Sequence, residues 1–263
     1  LLAEGTIDAV INISTATGIA IAPLCEDKKI TLFSIATSPD VSRGRKYAFN
    51  FWVTPEEEAR VIIPEALRRG IKRMARISTI QEGVLAGNAA VDKANAGKIE
   101  LVLSEDYPPD ARDFRTVIAK IRSLESRIDG LMLVLLPGQL GTFAKQARSL
   151  GIKTPFFGLE TLEDLSEVKA SAGTLEGAWY VNAGDGDGDF LRRYRERYPN
   201  ASTYAAGNGH DAALLLAAAL DSGVSRDRIH EFLAALKDFS GALGTYSSTG
   251  DQRFSLPAVV KVV

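Results

Sequence analysis

Short apolar runs and longer helical patterns alternate along most of this chain. Runs rich in β-branched and aromatic residues stand near 8–13, 31–36, 74–78, 99–104, 130–136 and 155–159. Between them, apolar positions recur at helical spacing near 17–27, 56–69, 82–96, 111–125 and 139–150. Alternation of this kind predicts βαβ units and parallel sheets. The run "LMLVLL" is apolar at every position rather than every second one, as expected of a parallel strand covered by helices on both faces. The fold class predicted is therefore α/β, doubly wound.

Beyond "GAWYVN" (177–182) the pattern changes. A polar stretch, "AGDGDGD", leads into helical patterns near 190–198, 205–222 and 226–237. The final "GTYSSTGDQRFSLPAVVKVV" predicts a hairpin, with two runs flanking the turn residues Ser248, Thr249, Gly250 and Asp251. The opening "LLAEGTIDAVIN" starts in the middle of a helix-to-strand unit.

Length and composition narrow the function. The 263 residues are 46% hydrophobic and 24% charged with a net charge of −2, room for one large or two medium domains. That balance carries no electrostatic footprint for nucleic acid. The longest apolar runs, "GLMLVLLPG" and "AALLLAAAL", fall far short of the roughly 18–20 residues that cross a bilayer. Cys25 lies in an apolar helical pattern, which points to a buried structural thiol rather than a nucleophile.

In open parallel sheets, ligands bind beyond the carboxyl ends of the strands. Ser14 and Thr15 follow the first strand and Thr37 the second; Thr79, Ile80 and Gln81 follow the third. Pro137 and Gly138 follow 130–136, and Glu160 follows 155–159. These strand ends hold hydroxyls, one carboxylate and apolar groups but no histidine or cysteine, so no general base or nucleophile suited to neutral pH stands among them. Ser14 and Thr15 suit a helix cap or, with the helix N-terminus behind them, an anion site for a carboxylate. Thr37 suits a turn ahead of Ser38-Pro39. Glu160 suits a helix cap as well as a ligand. Two other features point to structural roles. Asp185, Asp187, Asp189 and Glu196 stand at calcium-loop spacing, but Phe190 occupies the place that needs glycine. That favours a flexible linker whose last Asp caps a helix. His210 and His230 lie in separate helical patterns without partners at ligand spacing.

Together, "STATGIAIAPLCEDKKITLFSIATSPDV", "KYAFNFWVTPEEEA", "RDFRTVIAKIRS", "FAKQARSLGIKTPFFGLETL", "EGAWYV" and "STGDQRF" make the chain resemble type I periplasmic binding proteins. The nearest group is that of the leucine/isoleucine/valine-binding proteins of ABC importers. The resemblance implies two doubly wound parallel-sheet lobes joined by three hinge crossovers, lobe one at 1–53 plus 184–240 and lobe two at 54–183 plus 241–263. It implies a ligand set of Ser14, Thr15, Ile35 through its carbonyl, Ala36, Thr37, Ile80, Leu136, Glu160 and Tyr204, with Glu160 receiving the ligand amine. Where the family commonly has tyrosines facing the ligand, this chain has Ile80 and Leu136, which points to a bulkier or differently shaped apolar ligand. The resemblance also implies that the family's first two βα units are absent. Lobe one would then expose an apolar sheet edge, to be covered by an N-terminal segment or a dimer partner.

The function implied is a solute receptor that binds a branched-chain, apolar or aromatic amino acid, or a related small carboxylate, in an interlobe cleft and delivers it to a membrane permease. The location implied is periplasmic or extracellular, with or without a lipid anchor. No catalysis, cofactor or metal is expected. A ligand-sensing regulator on the same fold, like the amide sensors, is the alternative.

Overall fold

The computed structural model describes residues 7–185 and 188–263. The chain divides into two compact units. Unit 1 comprises Leu1–Thr54, Ala183–Asn200 and Ala205–Pro257; unit 2 comprises Pro55–Asn182, Ala201–Tyr204 and Ala258–Val263.

Unit 1 is built on a parallel sheet in the order β1 (Ala9–Ile13), β2 (Thr31–Ile35), β3 (Ala48–Asn50). Helix α1 (Thr15–Lys28) joins β1 to β2 and packs on them through Ala22 and Cys25, both fully buried with Leu32 and Val41. Burial raises the Cys25 thiol above its ordinary range, with Glu26 adding to the shift, so the thiol is a core group rather than a nucleophile. The approach of α1 is close at Gly18, where an added Cβ would lie 2.5 Å from Ser34 Oγ and 3.0 Å from Asn12 Nδ2. Unit 1 is completed by α7 (Asp189–Arg197), α8 (Ala206–Asp221), α9 (Ile229–Ala234) and a small antiparallel pair, β9 (Phe239–Gly241) with β10 (Gly244–Tyr246). β1 is an edge strand whose Ile11 and Ile13 are exposed.

Unit 2 holds a sheet in the order β11-β8-β7-β6-β4-β5. Its strands are β4 (Arg73–Thr79), β5 (Glu100–Tyr107), β6 (Gly130–Val134), β7 (Phe156–Gly158), β8 (Trp179–Ala183) and β11 (Ala258–Val262). The pairs from β5 through β8 are parallel. The crossovers carry α2 (Pro55–Arg68), α3 (Glu82–Asn95), α4 (Arg115–Leu124), α5 (Leu140–Ser149) and α6 (Leu165–Ala170). Two apolar clusters form the core. One unites α4 and α5 with Ile77, Leu131, Leu133 and Phe156. The other unites α2 and α3 with Met74, Met132, Phe157 and Trp179. Strand β6 contributes alternate residues to both, which explains why "LMLVLL" is apolar throughout.

Several expectations need correction. Residues 241–257, assigned above to lobe two, belong to unit 1. The cause is aromatic packing: Phe254 stacks on Phe33 with centroids 5.5 Å apart, Tyr246 lies 5.5 Å from Phe51, and Asn50 N donates to Gln252 O. Only Ala258–Val263 joins unit 2, and Ala201–Tyr204 joins it too, with Leu165 N donating to Ser202 Oγ. The C-terminal hairpin does not form as expected. β10 pairs with β9, the turn closes through a bridge between Ser248 and Phe254, and β11 extends the unit 2 sheet beside β8. The helix near 111–125 starts at Arg115, and the pattern at 226–237 resolves into a 3-10 turn and α9. The calcium-spaced acids split as well. Asp187 lies outside the described residues; Asp189 sits in the first turn of α7, where Gly188 holds the cap position, and pairs with Arg192 and Arg193. Among the described residues no cluster of three or more His, Cys, Asp or Glu side chains could hold a metal, and no helix is long and apolar enough to cross a membrane.

Candidate functional site

Parallel pairing of β1 with β2 sets Ile13 opposite Ile35, so the chain leaves both strands at the same carboxyl edge of unit 1. The residues delivered there are Ser14 and Thr15 from β1, and Ala36 and Thr37 from β2. Ser14 is the N-cap of α1, its side chain accepting from Thr17 N at 3.4 Å. Thr15 is buried, and its Oγ1 accepts from Ser38 N at 3.5 Å, joining the two strand ends. Ser38 in turn caps the 3-10 turn Pro39–Val41. Asn12 braces the edge from below, donating to Ser14 O at 2.9 Å and Ser34 Oγ at 2.8 Å. Ile35 and Ala36 are buried and Thr37 is half-buried. The small residues after β1 therefore serve packing and capping. Gly18 and Thr15 let α1 settle onto the strand ends, and its first-turn N–H groups, which lack intrahelical partners, gather beside the hydroxyls.

In unit 2 the neighbours β4, β6 and β7 deliver Ile80, Leu136 and Glu160 to one carboxyl edge, in register through Ser78 opposite Val134 and Leu133 opposite Gly158. Leu136 N donates to Thr79 Oγ1 at 3.1 Å, and that hydroxyl donates to Gln139 Oε1, so the two loops are tied together. Ile80 is 51% exposed and Leu136 half-buried, forming an apolar shoulder. Gln81 caps α3, its Oε1 accepting from Gly83 N at 2.7 Å and Val84 N at 3.1 Å.

Glu160 opens a 3-10 turn, Glu160–Glu163. The cap of α6 falls on Asp164, which accepts from Ser166 N, so helix capping does not account for Glu160. Glu163 is held by Asn182 Nδ2 at 2.8 Å and Lys261 Nζ at 3.1 Å. Tyr204 belongs to unit 2, close enough to this acidic group to feel it. Burial raises its hydroxyl well above the ordinary tyrosine range, and the charges of Glu160, Glu58, Asp164 and Glu163 push the same way.

Sequence reasoning missed Glu58. It stands in the first turn of α2, fully buried beside Ala59, Ile62 and Ile63. Neither carboxyl oxygen has a hydrogen-bond partner. Burial pushes the group well above the usual carboxylate range, and the nearby charge of Glu160 pushes it further. Its signal was position: Glu58 lies one turn before Ile62, on the face that enters the core.

Histidine takes no part at either edge. His210 is half-buried against Phe190 and Asp211, with ring centroids 4.7 Å from Phe190. A cavity of about 430 Å³ in unit 1 lies beside it, lined by Phe190, Arg193, Tyr194 and Tyr198, away from the strand ends. His230 is buried against Tyr47.

Unit 1 thus gathers hydroxyls and a helix N-terminus at its strand edge, and unit 2 gathers a carboxylate and apolar groups at its own. The sequence profile described as Periplasmic binding protein matches residues 1–260, and the chain belongs to that family, whose members are binding proteins and not enzymes. Among solved structures, the branched-chain amino acid transporter substrate-binding protein LivJ from Streptococcus pneumoniae, in complex with isoleucine, is similar with a TM-score of 0.90 and 20% identity, covering 100% of this chain and 78% of that one. The leucine-binding protein LivK from Thermotoga maritima gives a TM-score of 0.87 at 20% identity, covering 97% of this chain and 76% of that one. A solute-binding protein of an ABC transporter from Rhodopseudomonas palustris, in complex with 3,4-dihydroxybenzoic acid, gives 0.86 at 19% identity, covering 100% and 76%. These likenesses establish the type I periplasmic binding protein fold. No curated protein matches the chain.

Proposed function

We propose that this protein is the solute receptor of an ABC importer, working outside the cytoplasmic membrane and handing an apolar or aromatic α-amino acid, or a related small carboxylate, to a membrane permease. The observation that carries this is the division of chemistry between the two strand edges. In unit 1, Ser14, Thr15, Thr37 and the start of α1 offer donors suited to a carboxylate, and the Ile35 carbonyl is an acceptor. In unit 2, Glu160 suits an ammonium group, while Ile80 and Leu136 suit an apolar side chain. An α-amino acid carries a group suited to each of these sets. Isoleucine in the Streptococcus protein and a dihydroxybenzoate in the Rhodopseudomonas protein support the same range of ligands.

Calorimetric titration with L-leucine, L-phenylalanine and their deaminated analogues tests it. The amino acids should bind more tightly, and Glu160→Gln should cost them roughly 2–5 kcal/mol by removing the charged partner of a desolvated ammonium. Tighter binding of the deaminated acids, with Glu160→Gln sparing the amino acids, would show that the ligand is not an α-amino acid.

A further inference from the structure

Helix α7 and its C-cap carry Phe190, Tyr194 and Tyr198 four residues apart, a spacing that sets three rings along one face. The centroids lie 5.6 Å apart from Phe190 to Tyr194 and 5.3 Å apart from Tyr194 to Tyr198. An aromatic face of this kind is ordinarily turned into a core. Here α7 buries none of its residues, and Tyr198 is 53% exposed. The rings instead line the unit 1 cavity of about 430 Å³, a volume within the range of small-molecule sites. His210 of α8 shares that lining, its ring 4.7 Å from that of Phe190, and its Nδ1 lies 3.0 Å from Oδ1 of the buried Asp211, which ties this wall to the core. Gly209 leaves the space open, since a Cβ there would meet nothing within 4 Å beyond its own helix. The charge of the lining is basic. Arg193 and Arg197 belong to it, no acidic residue does, and α7 holds four arginines against Asp189 and Glu196 in a chain whose net charge is −2. Asp189 is shared between Arg192 and Arg193, and Glu196 pairs with Arg192. Among the described residues Arg197 is in no ion pair.

We propose that this cavity is a second ligand site, separate from the two strand edges, and that its occupant is a small aromatic carboxylate. The planar part of such a molecule meets Phe190, Tyr194 and Tyr198, whose rings favour offset or edge-on aromatic neighbours. Its carboxylate meets the guanidinium of Arg197, whose planar fork matches a carboxylate in two hydrogen bonds. Arg193 adds positive charge on the same side. An aliphatic acid would leave the rings without an aromatic partner, and a neutral aromatic would leave Arg197 without a counter-charge. The site does not depend on the amino-acid binding proposed above, because it shares no residue with either strand edge.

Titration of the full chain with 2-naphthoate, followed through backbone amide resonances, tests the site and locates it. Saturable shifts should appear in α7 and the first turns of α8, with a Kd on the order of 0.1–1 mM for a ligand of this size. Added salt should weaken 2-naphthoate and leave the neutral 2-naphthamide, itself a weaker ligand, unaffected. Arg197→Gln should weaken 2-naphthoate about fivefold, the worth of an exposed charge pair. Tyr194→Leu should weaken both compounds roughly twofold to tenfold. Gly209→Leu should abolish the shifts by filling the cavity while the protein stays folded, since it replaces a helix glycine and meets no neighbour. If Gly209→Leu fails to fold, the shift map of the native chain and the Arg197→Gln titration decide. Shifts confined to the strand ends after β1, β2, β4, β6 and β7, or no saturation below about 10 mM, overturn the proposal. So does concentration-dependent dimerisation that shifts the α7 amides before any ligand is added, which would assign the face to a second copy of the chain. Displacement of 2-naphthoate from α7 by L-leucine overturns it too, whereas failure of L-leucine to bind anywhere overturns the proposed function and leaves this site standing.

Discussion

The hydroxyl of Tyr246 donates to the carboxylate of Asp211 at 3.0 Å, and both side chains are buried. Asp211 also accepts from Ala242 N at 2.8 Å and Leu243 N at 3.2 Å, so one carboxylate on α8 fixes the β9–β10 turn. Burial chiefly, and then Asp211, pushes the Tyr246 hydroxyl far above its ordinary range. Tyr246→Phe should therefore cost about 1.5–3 kcal/mol, the worth of a hydrogen bond to a charged group. Asp211→Ala should cost more, because it strands two buried backbone donors and the hydroxyl. Denaturant unfolding of the two variants against the native chain measures the order. Equal stabilities would show that the turn is held by its aromatic packing alone.

Gly18 gives a second prediction. With a Cβ placed 2.5 Å from Ser34 Oγ, 3.0 Å from Asn12 Nδ2 and 3.1 Å from Val41, Gly18→Ala must push α1 off the sheet. The cost expected is about 1–3 kcal/mol from overpacking. Adding Ser34→Ala should recover part of it by vacating the nearest atom, and thermal melts of the single and double variants would show the recovery.

Much of this was legible in the pattern of residues, for physical reasons. Strands β1, β2 and β6 lie in short, largely apolar runs, so the residues just beyond them could be named as an edge before any coordinates. Short elements escaped. β3 has three residues inside the apolar "KYAFNFWV", and β8 is fully buried, so neither shows a period. The tail misled because turn residues at 248–251 mark a local hairpin, whereas the aromatic cluster around Phe33 is a tertiary preference that no local signal carries. Glu58 escaped because three successive glutamates at a helix start suit a solvated, dipole-favoured turn; its burial depends on helical phase relative to Ile62.

His230 makes stability depend on pH. It is buried against Tyr47 with ring centroids 4.3 Å apart, and burial chiefly, aided by Lys46, lowers its ability to take a proton. In the unfolded chain the imidazole titrates near about 6.5. The unfolded state thus binds more protons as pH drops through that value, and stability falls until the folded-state value is passed. His230's share, read as the difference in melting temperature between the native chain and the His230→Phe variant, should be constant above about pH 7 and turn against the native chain toward pH 5.5. His230→Phe keeps a ring against Tyr47 and should flatten that decline. An unchanged profile in the variant would assign the loss to other groups.

Two buried glutamates of unit 2 should respond in opposite ways to loss of charge. Glu167 on α6 accepts from Gly138 N at 2.5 Å and Gly141 N at 2.8 Å, so its carboxylate replaces water for the start of α5. Gly141 allows that approach, since a Cβ there would meet Glu167 O at 2.7 Å. Glu167→Ala should cost about 1–3 kcal/mol for each donor left bare. Glu58 has no such donors, and its raised folded-state value means that the folded chain holds a proton the unfolded chain gives up. Its contribution to stability is then full below the unfolded value of about 4.3 and is lost as pH rises toward the folded value. Glu58→Gln, neutral at every pH, should stabilise the ligand-free protein at neutral pH, with no gain at pH 4. Melts of both variants at pH 4 and pH 8 separate the cases: destabilisation by Glu58→Gln at pH 8 would show that its carboxylate is satisfied in the folded chain.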